Sequence, residues 1–568
     1  MSTVFFDIEC NGFIDKVTRC VCIGYQIDGG PPQIAFTPEQ IDTALDAIKN
    51  ADVVIGHNIL AFDLPVLHKL YPKWEGPLGT VRDTLVMARL VHPDIRDDDF
   101  QDENFPKTLV GSHSLRAWGN RLNMPKGVEL DDVIDFASLE YTDDLGEYCK
   151  QDVEITRALY GRCVNRVFSE QSIDLEHRFA QTIVQQMRNG FAFDKGAAGS
   201  LYASLAAERD ILVRSLQDEV PPTEEVLKTK TKLIPFNPAS RKQIAAALKN
   251  LYGWVPEEFT PGGEPKVDEA VLGSLDFPIA KKLSEYLTIQ KRIGMLAEGD
   301  EAWLKVERNG RIYGSVNHNG AVTGRCTHRG PNMAQVPASG SMYGKECRSL
   351  FVASPGMVLV GVDAAGLELR CLAHYMAKWD DGAFAKELLE GDIHTANQKA
   401  AGLETRNQAK SFIYAFLYGA GPAKLGKVVG GGYAEGKELQ QRFLTKVPAL
   451  KALKAAVERA AERGSIMGID GRRLRIRSAH AALNTLLQSA GAIAMKQATV
   501  LMNEEAPKYG ARQVAHIHDE IQWEVPEQNA QAWSECCKTC ITKAGELLGF
   551  RCRLDGDARV GRSWAETH

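Results

Sequence analysis

The stretch QVAHIHDEIQWEV (Gln513–Val525) decides how the chain is read. It reads as two short strands about a tight turn, because Val514, Ile517, Ile521, Trp523 and Val525 are apolar at near-alternate positions. Asp519 and Glu520 sit side by side in its middle, and Asp519 shares the parity of Ile517, Ile521 and Trp523. Alternation predicts that Asp519 points toward the apolar side. An ionised carboxylate removed from water is costly unless it is paired or holds a metal. The hairpin therefore calls for a counter-charge.

A second apolar strand, MVLVGVD (Met357–Asp363), ends on an aspartate and runs into AAGLELRCLAH, which begins a helix. If the two strands share a sheet, Asp363 and Asp519 can bracket a pair of metal ions ~4 Å apart. The plainer alternative is one capping and one turn aspartate. The segment RNQAKSFIYAFLYGAG (Arg406–Gly421) favours the metal reading. Arg406, Lys410, Tyr414 and Tyr418 recur every four residues and form one helical stripe, separate from the apolar face of Phe412, Ile413, Phe416 and Leu417. Two cations followed by two aromatics suit a nucleoside triphosphate lying lengthwise, phosphates on the cations and base and sugar against the rings.

The front of the chain carries a second set of acids. In VFFDIEC, Asp7 and Glu9 lie two apart on a strand and face one way. GHNILAFD offers Asp63, and EYCKQD places Tyr148 and Asp152 on one helical face. Acids converging from separate segments make an all-oxygen site for hard divalent cations, which can activate water against a phosphodiester, with Tyr148 positioning that water.

Composition limits the alternatives. The 568 residues exceed one core, so three to five subdomains are expected, and 44% apolar with 25% charged residues is an ordinary globular balance. No run of 18 apolar residues exists, and MSTVFFDIEC lacks a basic region before an apolar stretch, so neither a membrane span nor a secretory leader is expected. Twelve scattered cysteines point to a reducing compartment, and Cys536, Cys537 and Cys540 read as helix packing, not a metal corner. Net charge is −6, but residues 1–150 carry −12 and the remainder +6, with 8 basic and 3 acidic residues in 451–480. A basic rear behind an acidic front fits a polyanion partner.

Residues 1–165 mix strands (Val4–Ile8, Val53–Ile55) with helices (Leu85–Val91, Leu145–Leu159), an α/β pattern. Residues 175–216 read as helix, followed by the exposed connection PPTEEVLKTKTKLIPFNP and more helix to about residue 305. Helices are expected to fill 366–463, broken at Gly430–Gly432.

With these residues in view, the chain resembles the family A (DNA polymerase I-like) DNA polymerases, in particular the T-seven-like podovirus replicative branch. The resemblance runs nearly end to end. DAAGLELR is similar to motif A, RNQAKSFIYAFLYGAG to motif B and HDE to motif C, while GAVTGRCTHRGPNMAQVP and HAALNTLLQSAGA are further family signatures. The front acids resemble the three motifs of DEDDy-type 3′–5′ exonucleases.

The resemblance implies an α/β and α+β multidomain chain: an RNase H-like 3′–5′ exonuclease domain over 1–165, then a right-hand polymerase. Thumb would span 175–300, palm 301–368 and 484–568, and fingers 369–483. It implies two Mg²⁺ at each site, held by Asp363 and Asp519 in the polymerase, with Glu520 in support, and by Asp7, Glu9, Asp63 and Asp152 in front, beside Tyr148. Arg406, Lys410 and His394 would hold the triphosphate, Tyr414 would meet sugar and base, and Glu368 would reject a ribose 2′-OH. Tyr418 and Gly419 would lie by the templating base. Arg325, Gln488 and His518 would contact the duplex and primer end through minor-groove acceptors that all correct pairs share. Implied partners are primer–template DNA, dNTPs, a replicative helicase–primase and a single-strand-binding protein, in a host cytoplasm.

Two departures stand out. The chain starts at once with its exonuclease strand, so no 5′-nuclease domain is expected. Only DEVPPTEEVLKTKTKLIP stands where the branch carries a thioredoxin-docking insertion. Thioredoxin is therefore not expected as a partner, and Lys228, Lys230 and Lys232 are expected to add a minor grip on the duplex. A 3′–5′ exonuclease whose rear only binds DNA is the alternative enzyme class, and a non-catalytic DNA-binding protein is a third. Primer extension separates them.

Overall fold

A computed structural model describes residues 1–126, 136–166, 169–226 and 231–568. The chain divides into two compact units. The first comprises Met1–Arg188, Val316–Thr327 and Val362–Ala558; the second comprises Asn189–Ser315, His328–Gly361 and Arg559–His568.

The first unit opens on a five-stranded sheet in the order β3 (Gln33–Ala35), β2 (Cys20–Ile27), β1 (Thr3–Cys10), β4 (Val53–Gly56), β5 (Thr80–Asp83). β1 is antiparallel to β2 and parallel to β4, and β4 is parallel to β5. Alternation along β1 splits its side chains. Val4, Phe6, Ile8 and Cys10 join a core with Ile41, Leu45 and Ile48 of helix Pro38–Asn50, which opens on a Thr37–Gln40 capping box. Phe5 faces the other way, onto Ile55 and onto Val153 of helix Asp143–Val164. Asp7 and Glu9 share the parity of Phe5, so β1 presents both to that helix. The expected strands and helices of this region are all present, each longer by a residue or more.

The hairpin of the opening stretch forms from Arg512–Ile517 and Glu520–Pro526, with Ile517 opposite Glu520. His518 and Asp519 are therefore its two-residue turn, and His518 takes a φ of 59°. This corrects the parity reading: Asp519 stands outside both strands, at the tip, and not on an apolar face. Nor do the strands alternate, since Gln513–Ile517 and Glu520–Val525 are all buried. Both faces are covered. Helices Ala482–Tyr509 and Ala530–Leu547 pack on the hairpin, while Phe179 and Gln186 reach it from helix Glu170–Asn189. The full sheet runs in the order Arg512–Ile517, Glu520–Pro526, Met357–Ala364, Gly556–Gly561.

The helices expected over 366–463 number seven, from Leu367 to Ala461, and Gly430–Gly432 falls between two of them, Pro422–Lys427 and Tyr433–Lys446. Side-chain caps at Asp392 and Thr405 start two of them. Cys537 and Cys540 are buried on helix Ala530–Leu547, all twelve cysteines are free, and among the described residues no helix is long and apolar enough to cross a membrane.

In the second unit, helices Lys195–Glu219, Arg241–Tyr252 and Pro278–Ile293 enclose a core that includes Leu216, Phe236, Ile244, Leu248, Leu283 and Leu287. The connection expected to be exposed contains an antiparallel pair, Thr223–Val226 with Thr231–Ile234. β-Branched residues at Thr223, Thr231 and Ile234 favour extended backbone there. Lys232 is exposed, and Lys228 and Lys230 lie outside the described residues.

A buried ion cluster ties the first unit together. Glu176 is fully buried and accepts from Arg472 Nη1 at 2.7 Å and Lys496 Nζ at 2.5 Å, with His318 Nδ1 at 3.0 Å. Arg472 also grips Asp470 through Nη2 at 2.7 Å. Burial alone would raise the Glu176 pKa, but Lys496, Arg472 and His318 outweigh it and hold the carboxyl well below its usual range. Burial pushes His318 down to about 4. Removing one partner of such a cluster strands the others as uncompensated buried charge. Glu176→Ala is therefore expected to cost about 3–5 kcal/mol, read as a lowered urea midpoint. His318 is neutral when folded and charges more readily when unfolded. Its contribution is present above its unfolded pKa of about 6.5 and is lost as pH falls through about 4. A His318→Gln chain should show a shallower loss of stability over that window, measured by urea unfolding at stepped pH.

Candidate active sites

The front site is built by β1, the start of helix Asp63–Leu70 and helix Asp143–Val164. Asp63 Oδ1 accepts from the Ile8 amide at 3.2 Å, which places this carboxylate beside the β1 pair. The loop before it is held by Asp83, whose carboxylate accepts from the amides of Asn58 at 2.8 Å and Leu60 at 3.1 Å. Asp83 is thus a structural acid of this region. Oxygens of Asp7 and Glu9 and the Sγ of Cys149 lie within 4.8 Å of one another. The Cys149 thiol points at the Asp7 carbonyl, 3.6 Å away.

These acids feel one another. Burial raises the Asp7 pKa well above its ordinary value, and Asp152, Asp63 and Glu9 raise it further. Burial lifts Asp63 to about 8, with Asp83 and Glu9 adding to the rise. Clustered carboxylates that resist ionisation fit a hard divalent cation, whose charge removes the repulsion and whose ligand preference is oxygen.

Sequence reasoning missed Lys126. Its Nζ donates to Asp152 Oδ2 at 2.5 Å and to the Tyr148 hydroxyl at 2.7 Å, and lies 4.3 Å from the Tyr148 ring centre. Burial opposes its charge, yet Asp152 and Tyr148 hold its pKa above the ordinary lysine value. Burial pushes the Tyr148 phenol up to about 12 despite the cation. A lone lysine after a helix leaves no periodic signal that would have revealed this contact.

The second site centres on the turn at Asp519. Asp363 is exposed at the end of strand Met357–Ala364, next in the sheet to Glu520–Pro526. The chain then turns into helix Leu367–Asp380, with the Ala365 amide on Asp555 O at 3.0 Å and Arg370 Nε on Ala365 O at 2.7 Å. That turn sets Glu368 in the first helical turn, where its Oε1 accepts from the Tyr418 hydroxyl at 3.0 Å. Burial raises Asp519, and the Glu368 charge raises it further, against Arg325 and His518. Burial raises the Tyr414 phenol, again with Glu368 and Asp519 adding to it. Burial and Arg325 lower His518. Six of the expected residues, Arg325, Glu368, Tyr414, Tyr418, His518 and Asp519, thus share one electrostatic neighbourhood. Asp519, partly dehydrated and beside the Glu368 charge, is an acid whose ionised form a divalent cation would stabilise.

Helix Arg406–Leu417 carries the expected stripe. Ala409, Phe412, Ile413, Phe416 and Leu417 are buried, leaving Arg406 and Lys410 exposed at its start. Tyr418 closes the helix with its ring 6.5 Å from that of Tyr414, and Gly419 follows at a φ of 75°, a conformation that side-chain-bearing residues rarely adopt. Burial lowers His394, and Arg406 and Lys410 lower it further, so a neutral imidazole sits beside two cations at the far end of the stripe from Tyr418. Arg406 Nε and Nη2 donate to Asp392 at 2.8 and 3.1 Å. Asp392, which sequence reasoning also missed, is held well below the usual carboxylate range by this pairing. Its place before a helix, two residues ahead of His394, was the available signal. Glu520 is buried beneath the turn and accepts from Gln522 Nε2 at 2.7 Å. Gln488 lies part-exposed on helix Ala482–Tyr509.

Residues 210–566 match the family described as DNA polymerase family A. The DNA-directed DNA polymerase of Enterobacteria phage T3 is 36% identical over 702 aligned residues, covering 99% of this chain and 99% of the phage protein. That of Escherichia phage T7 is 35% identical with the same coverage. Among solved structures, the POL domain of Pol1 from M. smegmatis, in complex with DNA primer-template and dNTP, has a TM-score of 0.78 at 19% identity. It covers 99% of this chain and is itself covered over 96%. The chain belongs to DNA polymerase family A. Its mixed α/β fold is that of the family, whose members use divalent metal ions.

Proposed function

We propose that this chain is a template-directed DNA polymerase that replicates a phage or phage-like genome and removes mispaired primer ends at a separate front site. The observation that carries the reading is the helix Arg406–Leu417, which starts in a cationic patch and ends beside Glu368 and Asp519. In this reading residues 1–165 are the proofreading domain, 175–300 the thumb, 301–368 and 484–568 the palm, and 369–483 the fingers.

Arg406, Lys410 and His394 take the triphosphate of an incoming dNTP, and Arg406 exchanges Asp392 for a phosphate as it does so. Tyr414 meets the sugar and base. Glu368, already hydrogen-bonded to Tyr418, closes the space that a ribose 2′-OH would need. Tyr418 and Gly419 lie beside the templating base, while Arg325, Gln488 and His518 hold the primer end and duplex. Asp363 and Asp519 are the metal-holding acids, with Glu520 in support. In the front site Asp7, Glu9, Asp63 and Asp152 hold metal and Tyr148 orients the attacking water. Two Mg²⁺ at each site, when bound, supply activation of the attacking oxygen and charge stabilisation at phosphorus. The remaining catalysis is positioning by these side chains.

Helicase–primase and single-strand-binding proteins are the proposed partners, in a host cytoplasm. Thioredoxin is left out of this proposal because only DEVPPTEEVLKTKTKLIP stands at the place of a docking insertion.

Three outcomes test the reading. Asp7→Ala with Glu9→Ala should abolish excision of a mispaired 3′ end yet leave primer extension nearly intact, and Asp363→Ala should lower extension at least about a hundredfold while sparing excision. Loss of extension in a folded Asp7→Ala, Glu9→Ala chain would sink the two-site reading. Glu368→Ala should raise rNTP relative to dNTP incorporation by about ten- to a hundredfold, measured in competition; unchanged selectivity removes Glu368 from the sugar pocket. Finally, thioredoxin should not lengthen the products of a single binding event in a trap assay, and longer products would overturn its exclusion.

A further inference from the structure

Lys126 is held in place by more than its own charge. The Met124 amide donates to Gly119 O at 2.8 Å, and the Gln151 side chain donates to Pro125 O at 2.8 Å. The segment leaving helix Leu115–Arg121 is thereby fixed against helix Asp143–Val164. From that position the ammonium reaches Asp152 and Tyr148 together, with the Lys126 side chain 16% and the Asp152 side chain 6% exposed. An ion pair this far from water is neither strongly screened nor freely exchanged.

We propose that Lys126 is a positioning residue of the front site, a built-in cation that occupies Asp152 and competes with a divalent ion for it. The inference rests on the proofreading assignment of that site. Lys126 sits on Oδ2 of Asp152, so a metal on either oxygen draws on the same carboxylate charge and weakens the pair. Lysine carries three donors on a flexible stem. It can release Asp152 and keep the Tyr148 hydroxyl, which then stays oriented in the loaded site. Two consequences follow. The metal-free carboxylate cluster does not fly apart, because one positive charge is always present. Metal affinity is lower than four carboxylates alone would give, so occupancy follows the concentration of free divalent ion.

The test measures metal binding directly, on the full chain carrying Asp363→Asn and Asp519→Asn so that the second site's acids are removed. Free Mn²⁺ is followed by electron paramagnetic resonance during titration. Lys126→Met and Lys126→Gln should each bind Mn²⁺ about tenfold more tightly than the parent, the effect of about one pK unit between neighbouring opposite charges. Lys126→Arg, which keeps the charge, should stay near the parent midpoint. A lysine that only props up the loop would give weaker binding in the neutral variants, and equal or weaker binding in whichever neutral variant folds overturns the proposal. The same titration on Asp7→Ala with Glu9→Ala separates the two ideas: if that chain binds Mn²⁺ as well as the parent, the front-site reading itself fails, independently of Lys126.

Discussion

The first unit depends on one buried contact set, the carboxylate of Glu176 shared among Arg472, Lys496 and His318. These four residues come from widely separated stretches of sequence. Helix Glu170–Asn189 brings Glu176, the segment Val316–Thr327 brings His318, and helix Ala482–Tyr509 brings Lys496. Two of those elements also carry proposed DNA contacts, Arg325 seven residues beyond His318 and Gln488 two helical turns before Lys496. A charge cluster without access to water has few alternative arrangements, because every rearrangement leaves an ion unpaired. The elements that bear Arg325 and Gln488 thus have little freedom to drift.

The two acidic centres solve the same electrostatic problem differently. In the front site the acids are largely buried, their mutual repulsion is large, and a lysine from a neighbouring loop moderates it. At the second site the acids sit where strands end. Asp363 is exposed and Asp519 stands at a hairpin tip, with Arg325 and His518 nearby. The first is a closed cluster with its own counter-charge. The second is more open, its acids at strand ends and only partly offset by Arg325 and His518.

Much of this was legible in the sequence. The β1 pair, the Tyr148–Asp152 spacing and the Arg406–Tyr418 stripe all follow from strand and helix periods, and the structure places them as those periods require. Three features were not legible, each for a physical reason. The parity argument at Asp519 failed because a two-residue turn interrupts alternation and because a strand buried on both faces has no polar side to count from. The Thr223–Val226 and Thr231–Ile234 hairpin was hidden by prolines and lysines around its β-branched residues. Lys126 acts through a partner 26 residues away, and no local pattern encodes such a contact; the capping place of Asp392 was legible, but its bond to Arg406, 14 residues on, was not.

Asp392 accepts from the amides of His394 and Thr395 and from the Thr395 hydroxyl, and also from Arg406. Only the last of these bonds leaves its own helix. If Arg406 turns toward another anion, the cap of helix Ile393–Ala401 keeps its three local donors and the helix need not fray. The arginine works like a latch whose keeper is anchored independently of the door. Opening it would leave the helix bearing His394 wound and its backbone position unchanged.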